Sequence, residues 1–154
     1  MNATIETMPE LTVATVHHVG PYNQISEAFA RLGPLAEQTG LFALPGVMMV
    51  GIYHDDPEAT PAAELRSDAG LVVPAGTKLP AGLELATIPA GRYAKATHKG
   101  PYDRLGDTWA QLMGVWIPQH GDRIAGSVSF EVYRNNPMTA KPEDLVTEIY
   151  VPLT

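Results

Sequence analysis

The chain repeats itself at a fixed offset of 80 residues, and no other feature restricts its fold as much. His18-Val19-Gly20-Pro21-Tyr22 returns as His98-Lys99-Gly100-Pro101-Tyr102. The same offset brings Thr7, Gly46, Tyr53, Pro57 and Leu65 onto Thr87, Gly126, Tyr133, Pro137 and Leu145. Identities spread this widely, without a gap, describe two copies of one supersecondary unit. Such units associate because neither buries its apolar face alone. The repeat therefore predicts one pseudo-two-fold domain over 1–154, with module one at 1–74, a linker at 75–82 and module two at 83–154. A groove between packed modules is the expected place for a ligand.

Each copy opens with an extended stretch, 11–17 in the first and 92–98 in the second, whose rough alternation reads as a strand. Gly-Pro-Tyr ends that strand, because glycine allows a sharp turn and proline presets a helix-compatible φ. A helical stripe follows: Ile25, Phe29, Leu32 and Ala36 in copy one, Leu105, Trp109, Leu112 and Trp116 in copy two. Gly33-Pro34 is expected to kink or shorten the first helix and Pro118 to stop the second. Two further strands close each unit, 47–53 and 69–73, then 127–134 and 146–153, joined by polar, proline-bearing turns. Two strand-helix-strand-strand units give an α+β domain, with a curved, largely antiparallel sheet and two main helices.

Composition removes several functional classes. Zero cysteines exclude disulfides, thiolate catalysis and cysteine-type zinc sites. A net charge of −7 disfavours binding to a phosphate backbone and favours cationic partners. No apolar run is long enough to cross a bilayer, and the first residues lack a secretion signal, so a cytoplasmic location is expected. Gly-rich phosphate loops and a Gly-x-Ser-x-Gly elbow are absent, and no cofactor is expected. Five histidines are present, but none has His-x-x-x-His spacing, so no metal site is predicted. His17 and His18 point to opposite faces of one strand, and His98 is read as a turn residue.

In this order, several short motifs resemble the GyrI-like small-molecule-binding domains, a family that includes DNA gyrase inhibitory proteins and the effector domains of AraC-type regulators. They are Gly-Pro-Tyr before each helix, Gly51-Ile52-Tyr53-His54-Asp55-Asp56-Pro57, Leu65-Arg66-Ser67-Asp68, Phe130-Glu131-Val132-Tyr133 and Thr147-Glu148-Ile149-Tyr150-Val151-Pro152-Leu153. The resemblance covers nearly the whole chain. With no helix-turn-helix segment attached, it is to the free-standing branch. It implies a pocket for a small ligand and an acidic residue that serves as counter-charge for lipophilic cations.

Glu148 is the first candidate for that carboxylate. It interrupts an apolar C-terminal strand and, by period-two alternation, shares a face with Tyr150. A lone carboxylate on a buried face is costly unless it is paired or meets a cation. The competing reading is a surface glutamate held by Arg92 or Arg134. Trp109, Tyr133, Tyr150, Tyr53 and Tyr102 are the candidate walls of the ligand-binding box, since flat rings beside a carboxylate favour cations. Trp116 is assigned to the core, and Asp68, the repeat mate of Glu148, to a structural role. The expected function is binding of a cationic, partly aromatic small molecule. Two alternatives stay open: inhibition of DNA gyrase through protein contact, and hydrolysis of a reactive compound with Glu148 as the catalytic base that activates water.

Overall fold

A computed structural model describes residues 1–154. The chain forms eight strands, all paired antiparallel, and two principal helices. It divides into two compact units: 10–89, and 90–154 together with 1–9.

In the first unit, β2 (Leu11–Val19) leads through the turn at Gly20 into α1 (Ser26–Gln38), and β3 (Met48–Tyr53) and β4 (Arg66–Val73) follow. Strand order is β3-β4-β2-β5, where β5 is Glu84–Ile88. In the second unit, β6 (Gly91–Lys99) leads into α2 (Leu105–Gln111), and β7 (Ser129–Tyr133) and β8 (Val146–Pro152) follow. The order here is β1-β6-β8-β7, where β1 is Ala3–Met8. Both strand-to-helix turns need glycine. Gly20 and Gly100 hold φ at 133° and 136°, and each donates its N–H to a leucine carbonyl at 2.8 Å, Leu65 and Leu145 respectively.

The expected strand-helix-strand-strand pattern is present in both units, with one addition. Strands β1 and β5 occupy equivalent repeat positions, yet β1 belongs to the unit of the second copy and β5 to that of the first. The unit boundaries thus fall at Pro9 and Pro89, not at a linker over 75–82. Both strands are short, edge-placed and half exposed, with Leu85 63% accessible, so neither carries a continuous apolar run to announce it.

Each helix covers one face of its own sheet. Leu32, Ala28 and Ala36 of α1 pack on Ala14, Val16, Ala69 and Leu71. Leu112 and Ile117 pack on Ala94, Ala96, Ile149 and Val151. Each fully buried leucine or isoleucine contributes about 1.5–3 kcal/mol. Pro34 does not shorten the first helix, whereas the second ends at Gln119, one residue after Pro118. α1 continues through Pro34 for a full turn to Gln38, since the ring removes one hydrogen bond without ending a helix whose apolar face is already packed. The second helix passes from α2 through a π-helical turn at Leu112–Trp116 into Ile117–Gln119. That wider turn precedes Pro118, which cannot donate to the preceding ladder.

Candidate functional site

Alternation along β7 and β8 sorts the predicted site residues onto two faces of the second unit's sheet. Phe130 lies opposite Tyr150, Glu131 opposite Ile149, Val132 opposite Glu148 and Tyr133 opposite Thr147. Residues directly opposite share a face. Glu131 and Tyr133 therefore lie with Ile149 on the face that carries α2, whereas Glu148 and Tyr150 lie on the other.

On the helix-bearing face Glu131 is the centre. It is 4% accessible, in the middle of a five-residue strand. Trp109 Nε1, on α2, donates to Glu131 Oε2 at 2.6 Å, and Tyr133 Oη donates to Oε1 at 2.7 Å. Tyr102, in the turn after Gly100, packs edge-on against Tyr133 with centroids 5.9 Å apart. Burial pushes the Tyr102 hydroxyl pKa upward, and the charge on Glu131 adds to the rise. Three aromatic side chains thus gather around one buried carboxylate, and two of them hold it by charge-assisted hydrogen bonds.

On the opposite face Glu148 is half buried and fully engaged with cations. Arg134 meets Oε1 at 2.6 Å and Lys95 meets Oε2 at 3.2 Å. Tyr150 Oη approaches Oε1 at 3.4 Å. Burial alone would raise the Glu148 pKa, but hydrogen bonds and charge from Arg134 and Lys95 hold it below the usual range. Arg134 and Lys95 are raised in return, against their own desolvation. Tyr150 stacks on Phe130 at 4.6 Å and 5°, with Tyr93 edge-on to both.

The structure therefore brings Trp109, Tyr133 and Tyr102 together, and separately Glu148 and Tyr150. Tyr53 belongs to the first unit, where it packs edge-on against Tyr22 at 4.9 Å. Trp116 is partly buried against the core and stacks on His120 at 4.4 Å. His18 and His98 are strand residues near the ends of β2 and β6, not turn residues, and their side chains bond to the carbonyls of Pro21 and Pro101 in the turns that follow. Glu131 was missed from the sequence although it stands within a quoted motif. The 80-residue offset sets it against Gly51, an acidic side chain where the other copy has none, and that asymmetry was the available signal.

A duplicated α+β unit that presents a buried carboxylate among aromatic rings defines a class of small ligand-binding domains. The chain belongs to the GyrI-like small-molecule-binding domain family, whose model matches residues 1–154. A DNA gyrase inhibitor of Yersinia enterocolitica is 34% identical over 137 residues, covering 86% of this chain and 85% of that one. Among solved structures, the EcmrR C-terminal domain superposes with a TM-score of 0.77 at 22% identity, covering 99% of this chain and 97% of that one. SAV2435 bound to tetraphenylphosphonium superposes at 0.66 and 15% identity, covering 100% and 94%. At these identities the two structures share the fold. No helix is long and apolar enough to cross a membrane.

Proposed function

We propose that this domain binds a lipophilic, aromatic cation at Glu131, with Trp109, Tyr133 and Tyr102 as its walls. One observation carries the reading: a 4%-accessible carboxylate, on the apolar face of the sheet, held by two aromatic donors. An ionised carboxylate in such a place is stabilised by those hydrogen bonds and further by an arriving positive charge. Ring faces beside it add about 0.5–2 kcal/mol of cation–π attraction for a desolvated cation. The net charge of −7 raises the local concentration of cations before contact.

The test is titration with tetraphenylphosphonium, followed by tryptophan fluorescence and calorimetry, for the wild type, Glu131→Gln and Glu148→Gln. Saturable binding that weakens at least about tenfold in Glu131→Gln, equivalent to about 1.4 kcal/mol, is the expected result. Glu148→Gln is expected to bind as the wild type does, because Lys95 and Arg134 already neutralise that carboxylate. A loss confined to Glu148→Gln would move the counter-charge to the Tyr150 face instead, and no binding by any form would overturn the reading.

The name shared by the curated relatives favours a second reading, inhibition of DNA gyrase through protein contact. A supercoiling assay with purified gyrase, with and without tetraphenylphosphonium, distinguishes the two. Inhibition unaffected by the cation supports a contact role independent of the pocket.

A further inference from the structure

The first unit holds a cluster that the cation reading does not use. Asp68 lies in the middle of β4, with β2 and β3 on either side, directly opposite His17 on β2 and Ile52 on β3. His54 follows β3, two residues beyond Ile52. The register places these side chains on the sheet face away from α1, since Ala14, Val16, Ala69 and Leu71 of the alternate set pack on the helix. His17 Nδ1 reaches Asp68 Oδ1 at 2.6 Å, and His54 Nε2 reaches Oδ2 at 2.6 Å. The Asp68 side chain is 9% accessible, while those of His17 and His54 are 45% and 27% accessible. One buried carboxylate thus anchors two imidazoles whose other edges reach solvent.

We propose that His17, His54 and Asp68 form a binding site for a borderline divalent cation such as zinc. The donor set is two imidazole nitrogens and one carboxylate, the combination that suits zinc and its neighbours and is poor for magnesium or calcium. The three ligand atoms lie within 4.8 Å of one another. A tetrahedral ion with bonds near 2.1 Å holds its ligands about 3.4 Å apart. Each imidazole would retreat from the carboxylate by less than about 1 Å to admit the ion, a motion open to side chains that border solvent. Three protein ligands leave a fourth position for water or a small anion.

The second copy argues that these histidines are not a requirement of the fold. The counterparts of His17, His54 and Asp68 are Thr97, Arg134 and Glu148, and there the carboxylate is neutralised by Arg134 and Lys95, neither of which is a metal ligand at neutral pH. By contrast, His18 and His98, whose rings bond to the following turn, recur in both copies. The histidines peculiar to the first copy are the ones that converge on the carboxylate.

The test is calorimetric titration of the tag-free full chain with zinc and with magnesium, joined by cobalt(II) visible absorption. One zinc per chain, no magnesium uptake, and weakening of zinc binding by at least about tenfold in both His17→Ala and His54→Ala are the expected results. Both histidines are exposed enough for these variants to fold, which thermal melts without metal would confirm. His120→Ala, on the second unit, should bind as the wild type does. Retention of zinc by the double variant His17→Ala/His54→Ala, or no saturable uptake below about 0.1 mM, would overturn the proposal.

Discussion

The two units share an order of elements and differ in what stands at three equivalent positions on the sheet face away from the helix. In the second unit these are Tyr93, Phe130 and Tyr150, a close aromatic group with Phe130 and Tyr150 stacked at 4.6 Å. In the first they are Val13, Val50 and Gly70, and the backbone of Gly70 is so closely covered that a Cβ there would meet Val13 Cγ1 at 2.6 Å and Val50 Cγ2 at 2.9 Å. One copy fills the space with ring area and the other by packing valine methyls onto bare backbone. The carboxylates diverge likewise: Glu131 faces Gly51 in the repeat, and Glu148 with its permanent cations faces Asp68 with its imidazoles. Duplication fixed the positions, and chemistry was then chosen separately in each copy.

The packing contrast is broken most strongly by truncating its larger side. Phe130 is wholly buried and stacked, so Phe130→Ala is expected to destabilise by about 3–5 kcal/mol, through lost burial and the cavity left behind. Val50→Ala at the equivalent position removes two methyl carbons and is expected to lose much less, about 1–2 kcal/mol. Urea unfolding of both variants measures the difference. Equal losses would mean that the aromatic group contributes no more than the valines do.

The opposite operation, adding bulk to the smaller side, sharpens the contrast. Gly70→Ala places a methyl inside the van der Waals distance of two side chains on neighbouring strands, at 2.6 and 2.9 Å. Overpacking of this kind costs about 1–3 kcal/mol, read as a lower Tm. Gly70→Ala combined with Val50→Ala should recover part of the loss, because one of the two clashing methyls is gone. If the double variant is merely additive, Val13 alone carries the clash.

Strand-helix-strand-strand order and the two-copy plan were readable from the repeat, because hydrophobic period and Gly-Pro-Tyr punctuation are local properties. Strands β1 and β5 were not, because edge strands with one wet face leave little pattern. The candidate site was half readable. Of the expected pocket walls, Trp109, Tyr133 and Tyr102 stand together, whereas Glu148, the acidic residue chosen from the sequence, lies on the other sheet face from them. Alternation within β8 gave the right companion for Glu148 in Tyr150. What no single strand reveals is the register between strands, and that register puts Glu131 on the Trp109 face. The same limit hid the cluster of His17, His54 and Asp68, whose members are far apart in sequence and adjacent only across β2, β4 and β3.

The smallest expected effect concerns the Glu148 ion pairs, which the first unit replaces by imidazole contacts to Asp68. Glu148 has its folded-state pKa depressed, so its pairing contributes stability that is present above the unfolded value near 4.3 and is lost as pH falls through the folded value. Lys95 has its pKa raised by the same pair, so that contribution is present below the unfolded value near 10.4 and is lost as pH rises through the folded value. Stability measured by urea unfolding should therefore fall at both ends. Glu148→Gln should flatten both limbs and lower stability at neutral pH by about 1 kcal/mol, because the Lys95 and Arg134 side chains are partly exposed and solvent screens them. Added salt should reduce the difference between wild type and variant. An alkaline limb that survives unchanged in Glu148→Gln would assign it to the tyrosines whose pKa values are raised by burial, Tyr22, Tyr93, Tyr102 and Tyr150, and would leave the Glu148 pair without a measurable share in it.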